Sequence, residues 1–175
     1  MKKETIILTD FLTEIFPTWA TEIPDLAGYF HEYFLEPGEL LNTERGDIYL
    51  VSEGAFGKYT RREPLRYILP GELIIIALRR RYHTFKALNF SRVYMLDRPS
   101  LYRISCEYPN TMALYDELLQ RQQDSLEFRQ QILLMPKAHR YAYFKSRYAT
   151  IVPLIDRKEL AVFLQISPEL LRRIF

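Results

Sequence analysis

Between Gly28 and Asp97 the chain carries seven short runs rich in Tyr, Phe, Ile, Leu and Val, and turn residues close each of them within a few positions. The pattern predicts strands over Tyr29 to Leu35, Asp47 to Glu53, Ala55 to Arg61, Leu65 to Leu69, Leu73 to Leu78, Thr84 to Ala87 and Ser91 to Leu96. The turns are Glu36-Pro37-Gly38-Glu39, Arg45-Gly46-Asp47, Ser52-Glu53-Gly54 and Leu69-Pro70-Gly71-Glu72. Seven short strands so closely spaced point to a small antiparallel barrel or jelly roll.

Helical periodicity lies on both sides of this segment. Ile7, Leu8, Phe11, Leu12, Ile15 and Phe16 predict a helix over Glu4 to Trp19 that ends near Pro17. After Pro99 the period is helical again. Ser100 can cap a short helix, and Pro109-Asn110-Thr111 starts a longer one that runs to about Met135, where Pro136 interrupts it. The long helix has two stripes. One is Met112, Tyr115, Leu119, Gln122, Leu126, Arg129 and Leu133; the other is Leu114, Leu118, Phe128 and Ile132. Two stripes call for two neighbours, and a second copy of the same helix can be one of them. Gln122 and Arg129 are then polar interruptions that set the register.

Three helical segments follow, over Lys137 to Tyr148, Asp156 to Gln165 and Pro168 to Phe175. Asp156 can cap the second, with Glu159 three residues on to complete a capping box. Ser167 can cap the third, with Pro168 in its first turn.

The chain of 175 residues is 48% hydrophobic and 26% charged, which suits a folded core and excludes disorder as a whole. No apolar run approaches the ~18 residues of a membrane span, and residues 1–7 lack a signal-peptide core, so a soluble, cytoplasmic protein without a membrane partner is expected. The single cysteine, Cys106, closes no disulfide within the chain and reads as a buried structural thiol. His31, His83 and His139 lie far apart, so the residues suggest no metal site, no catalytic centre and no resident cofactor. Net charge is +2, yet Lys137 to Phe175 holds eight basic residues against three acidic ones. That end is the part suited to a polyanion.

The strongest local signal is the stretch Arg157 to Ile174. Ala161 lets two helices approach, Leu160, Leu164, Ile166, Leu171 and Ile174 form their small core, and the polar start of the last helix is left outward. A helix-turn-helix needs this arrangement to present base-reading side chains at a fixed angle. The same pattern also suits a plain helical hairpin that caps the barrel.

The order of β-rich domain, long helix and terminal helix-turn-helix resembles the Crp/Fnr family of bacterial transcription regulators. The resemblance rests on Pro70-Gly71-Glu72-Leu73 and on Ile155-Asp156-Arg157-Lys158-Glu159-Leu160-Ala161 leading into Ile166-Ser167-Pro168-Glu169. Arg140-Tyr141 and Phe144 make residues 136–174 especially similar to the branch common in Bacteroidetes-type bacteria. The resemblance implies an α+β fold: an antiparallel β-roll sensor of the double-stranded β-helix or jelly-roll kind, a long dimerisation helix and a small helical DNA-binding tail. The corresponding units are 1–98, 99–136 and 137–175, the last without the β-hairpin wing of longer family members. The first stripe of the long helix becomes the dimer interface.

In cyclic-nucleotide receptors of the family a Gly-Glu pair binds the ribose, and an Arg about ten residues later, followed by Ser or Thr, binds the cyclic phosphate. Gly71, Glu72 and Leu73 match the first part, and Arg81 stands where the phosphate ligand belongs. Tyr82 replaces the small hydroxyl residue and fills space that the phosphate requires. The expected effector is therefore a small molecule other than ordinary cyclic AMP, or none.

Family members often open the recognition helix with Arg-Glu and place another Arg four residues after the Glu. Here the positions are Pro168, Glu169 and Arg173. Glu169 can accept from a cytosine amino group and Arg173 can bond guanine, while Arg157, Lys158, Ser167 and Arg172 suit the backbone of double-stranded DNA. The expected function is a homodimeric, sequence-specific DNA-binding regulator and not an enzyme. The alternatives are a dimeric β-roll signalling or interaction protein that has lost DNA binding and, further off, a small cupin-like enzyme.

Overall fold

A computed structural model of the chain describes residues 7–61, 63–79 and 83–175, with Asp124 and Ser125 as backbone only. Helix α1 (Leu8–Ile15) turns Leu8, Phe11, Leu12 and Ile15 inward, the i, i+3, i+4, i+7 stripe of an amphipathic helix. It ends at Ile15, before the expected Trp19, because Pro17 cannot continue it, and a separate short helix, α2 (Trp19–Glu22), follows; the expected start at Glu4 lies outside the described residues.

Seven antiparallel strands come next: β1 (His31–Leu35), β2 (Ile48–Glu53), β3 (Phe56–Thr60), β4 (Glu63–Ile68), β5 (Leu73–Ile75), β6 (Thr84–Ala87) and β7 (Ser91–Leu96). They form two sheets, β1-β7-β2-β5 and β4-β3-β6, facing each other as a roll. Between the sheets Leu35, Tyr49, Val51, Phe56, Ile68 and Phe85 make one core. On the other face of β2, Ile48 and Leu50 join Leu12, Leu96, Ile104 and Leu118 in a second. Burial on both faces explains why β2 reads as an unbroken apolar run and not as an alternating one.

Two glycines are demanded by geometry. Gly54 (φ +83°) ends β2 so close to β7 that a Cβ would stand 2.3 Å from Ser91 Oγ. Gly71 (φ +83°) sits third in the 69–72 turn, closed by Glu72 N–H on the Leu69 carbonyl at 3.0 Å.

The rest is helical: α3 (Arg98–Glu107), α4 (Thr111–Leu134), α5 (Arg140–Tyr148), α6 (Arg157–Leu164) and α7 (Pro168–Ile174). Asp97, not Ser100, caps α3: its carboxylate accepts from Ser100 N–H at 2.6 Å. Cys106 is exposed and not a buried thiol. Helix α3 buries Ser100 and Ile104, one turn apart, and Cys106 lies two residues past Ile104 on the far side.

Helix α4 spans about 36 Å at 1.5 Å per residue and serves two cores in succession. Leu114 and Leu118 pack with α1 and β2, whereas Phe128 and Ile132 pack with the tail. That third core holds Phe144, Tyr148, Phe163 and Leu164 together with Ala55 and Tyr67 of the roll. Among the described residues no helix is long and apolar enough to cross a membrane.

Candidate nucleic-acid interface and effector cavity

Local chemistry builds the helix-turn-helix. Asp156 Oδ1 accepts from the N–H groups of Lys158 (2.8 Å) and Glu159 (3.3 Å), and Ser167 Oγ accepts from Leu170 N–H (3.1 Å), so both helices start on a side-chain cap. Between them Gln165 takes the left-handed conformation (φ +51°), and Ile166 N–H reaches back to the Ala161 carbonyl at 3.1 Å. The turn therefore closes as a glycine-containing one does, on a residue with a Cβ. Leu160, Ala161, Leu164, Ile166 and Leu171 are buried between the helices.

Arg157, Lys158, Ser167, Pro168, Glu169, Arg172 and Arg173 are all exposed. Arg157 lies over the Phe175 ring at 4.6 Å, and Phe175 stacks on Tyr141 at 5.1 Å. The Glu169 carboxyl is held below the usual carboxylate range, first by its own backbone N–H, then by the Ser167 hydroxyl and by Arg172. One residue outside this set fixes the geometry. Arg140 donates to the carbonyls of Leu133 (2.8 Å) and Met135 (3.0 Å) at the end of α4, and to those of Leu164 (2.9 Å) and Gln165 (3.3 Å) at the end of α6. It satisfies terminal carbonyls of two helices with one cation.

Glu159 does not complete the expected capping box. Its carboxylate accepts instead from the hydroxyls of Tyr67 (2.7 Å) and Tyr59 (2.9 Å) on the roll. Burial first, and then the Glu159 charge, push both phenols upward in pKa. Arg129 does not turn to the outer face of α4 either; its guanidinium lies over the Phe163 ring at 5.1 Å, and burial lowers its pKa.

The residues of the expected effector motif separate. Gly71 shapes its turn, and Leu73 is buried opposite Leu50. Both oxygens of Glu72 are taken by cations: Oε2 by Arg66 of β4 at 3.1 Å and Oε1 by Arg147 of α5 at 2.6 Å, with the Glu72 side chain 12% exposed. Arg81 and Tyr82 lie outside the described residues. A cavity of about 180 Å³ does lie between the roll and α4, lined by Thr43, Lys58, Arg79, His83, Gln122 and Leu126. The sequence motif did not point to Lys58 or His83, because neither lies in the Gly-Glu or Arg segment.

On α4 the first stripe divides. Met112, Leu119 and Leu126, seven residues apart, are exposed, and Tyr115, Gln122 and Leu133 are half-buried. Met112, Tyr115 and Leu119 border an apolar groove of about 450 Å³ with Leu78, Leu101 and Tyr102. Among the described residues no group of three His, Cys, Asp or Glu side chains could hold a metal ion.

No family model matches the sequence, and no curated protein matches it. The fold, however, is shared with solved structures. A regulator provisionally assigned to the Crp/Fnr family, from Eubacterium rectale, superposes with a TM-score of 0.67 at 14% identity, over 92% of this chain and 85% of its own. The c-di-GMP-responsive global regulator CLP of Xanthomonas campestris gives 0.61 at 14% identity, over 89% of each chain. A cyclic nucleotide-binding domain protein of Listeria monocytogenes gives 0.60 at 16% identity, over 89% of this chain and 85% of its own. The chain has the cyclic-nucleotide-binding β-roll fold, with the long helix and the helical tail in the same order.

Proposed function

We propose that the chain is a sequence-specific DNA-binding transcription regulator of the Crp/Fnr type that works as a homodimer. The observation that carries this reading is α7. Its outer face presents Ser167, Pro168, Glu169, Arg172 and Arg173 to solvent, while Leu171 locks it onto α6. A helix held by one side and free on the other is what a major groove admits. On this reading residues 1–98 sense, 99–136 dimerise and 137–175 bind DNA.

The heptad-spaced Met112, Leu119 and Leu126 support pairing of α4 with a second copy, which would place two α7 helices for half-sites about 34 Å apart. Gln122 sets the register in this pairing, whereas Arg129, two turns further on the same stripe, turns its guanidinium over Phe163 of the tail. The effector, on the same reading, enters the cavity beside Lys58, Arg79 and His83. At about 180 Å³ that space is smaller than the ~300–1,000 Å³ of most ligand pockets, which favours a compact anion over a cyclic nucleotide.

The test is selection of duplexes from a random pool at low salt, followed by titration at several salt concentrations. Enrichment of a palindrome supports the proposal. Retention of no duplex supports the alternative, a dimeric β-roll interaction protein without DNA binding.

A further inference from the structure

Strand β1 is the outer strand of its sheet, and its Tyr33 lies opposite Val93 of β7. The chain then crosses to the other sheet, where Leu41 N–H bonds the Phe85 carbonyl at 2.9 Å. Between β1 and this crossing the roll is open. The opening is a cavity of about 600 Å³, a volume typical of small-molecule sites. Tyr33 and Leu40 form its apolar wall and remain 45% and 60% exposed, while the neighbouring Phe34 ring turns to the other face against Phe90 and Arg92. It is separate from the cavity under α4: Asn42 and Tyr49 line the one, Thr43 and Phe85 the other.

Charge decides what fits. Among the described residues that line this mouth, Glu39, Glu44, Asp47 and Asp97 are carboxylates, and none is Lys, Arg or His. Asp47 is 4% exposed, and its carboxylate accepts from Glu44 N–H (3.0 Å), the Tyr49 hydroxyl (3.1 Å) and Arg98 N–H (3.2 Å). All three donors are neutral. The charge is held in place without being cancelled, and among the described residues no Lys or Arg forms an ion pair with Asp47, Glu44 or Glu39. A buried carboxylate with fixed neutral donors and no counter-ion is a strong local source of negative potential.

We infer that the mouth of the roll under β1 binds an organic cation: a primary ammonium carried on an apolar or aromatic body. An ammonium has three donors and no acceptor, which matches a rim of carboxylates. Glu44 and Glu39 meet the head group above the fixed charge of Asp47. Tyr33 and Leu40 take the body, and the Tyr33 ring adds cation–π attraction. The same four carboxylates repel an anion, so the mouth and the Lys58-lined cavity select ligands of opposite sign.

The probe is phenethylammonium, with 2-phenylethanol as its neutral counterpart, titrated into the full chain and followed by amide chemical shifts. The expected result is saturation by about 10 mM, with shifts confined to residues 33–49 and 95–97 and the alcohol about tenfold weaker. Glu44→Gln and Tyr33→Ser, both at exposed positions, each weaken the ammonium about five- to tenfold at unchanged Tm. Absence of saturation, equal affinity for the alcohol, or shifts clustered on Lys58, His83 and α4 would overturn the assignment.

Discussion

The Tyr67 hydroxyl on β4 donates to the Glu159 carboxylate on α6 across 2.7 Å, and through this bond the first helix of the helix-turn-helix is fastened to the roll. Tyr59 donates to the same oxygen, and Tyr148 of α5 donates its hydroxyl to the Tyr67 carbonyl at 3.1 Å. The rings of Tyr67 and Phe163 lie 4.9 Å apart beside them. The tail and the roll thus share a polar latch inside an aromatic cluster, and the two should unfold together.

Tyr67→Phe removes a charge-assisted donor from Glu159 and should cost about 1–3 kcal/mol. Glu159→Ala should cost more, since it leaves the buried Tyr67 hydroxyl without an acceptor. Urea unfolding of both variants and of the double variant checks this, and additive losses would show that the bond carries no coupling.

Alkaline pH should open the same latch. The ordinary tyrosine value is 10.0, and the folded-state values of Tyr59, Tyr67 and Tyr148 are raised above it, in each case by burial first. The unfolded chain therefore releases these protons before the folded one. Their contribution is fully present below about pH 10 and is lost as pH rises toward the folded values. Urea midpoints from pH 8 to 11.5 should fall above pH 10, and less steeply in a Tyr67→Phe, Tyr148→Phe variant.

Glu72 ties three elements together. Glu72→Gln strips the carboxylate from Arg66, whose side chain is 8% exposed, and should cost about 3 kcal/mol. Arg147→Gln breaks the more solvated arm and removes the guanidinium from over the Phe128 ring, 4.7 Å away, and should cost about 1–2 kcal/mol, less than Glu72→Gln. Equal losses in thermal unfolding would contradict this ranking. Because both carboxylate oxygens are engaged, cyclic AMP should produce no saturable shift in Tm.

On α4, neighbouring leucines should behave differently. Leu118 is 2% exposed and belongs to the core, so Leu118→Ala should lower stability by about 2–5 kcal/mol. Leu119→Glu, on the exposed stripe, should leave monomer stability nearly unchanged and shift sedimentation from dimer to monomer. A wild-type chain that sediments as a monomer at tens of micromolar, a rough level for a modest interface, would remove the paired half-site scheme.

For DNA, Arg173→Ala should cost about 1–3 kcal/mol on a selected duplex and relax preference at one base pair. Lys158→Ala should weaken all duplexes alike and lower the salt slope by about one unit. Titrations on selected and random duplexes separate the two, and equal losses on both for Arg173→Ala would assign that residue to phosphates.

Much of the architecture is written locally. Strands over Thr84–Ala87 and Ser91–Leu96 are where their alternation puts them, and the caps at Asp156 and Ser167 form as their positions before helical runs require. The turn at Gly71 and the stop at Pro136 follow from the backbone preferences of single residues. These signals act over a few residues, so the order of roll, long helix and helix-turn-helix is legible without coordinates.

What the sequence alone could not determine is where long side chains find their partners. Glu159 has the position of a capping-box residue, but its carboxylate goes to tyrosines 92 and 100 residues earlier in the chain. Glu72 has the position of a ligand contact, yet Arg66 and Arg147 occupy it; Arg129 has the position of an interface residue, yet lies over Phe163. A local hydrogen bond and a distant one satisfy the same donor and acceptor equally well. Only the packing of β4 against α6, set by the shared aromatic core, brings the distant partner within 3 Å and decides between them.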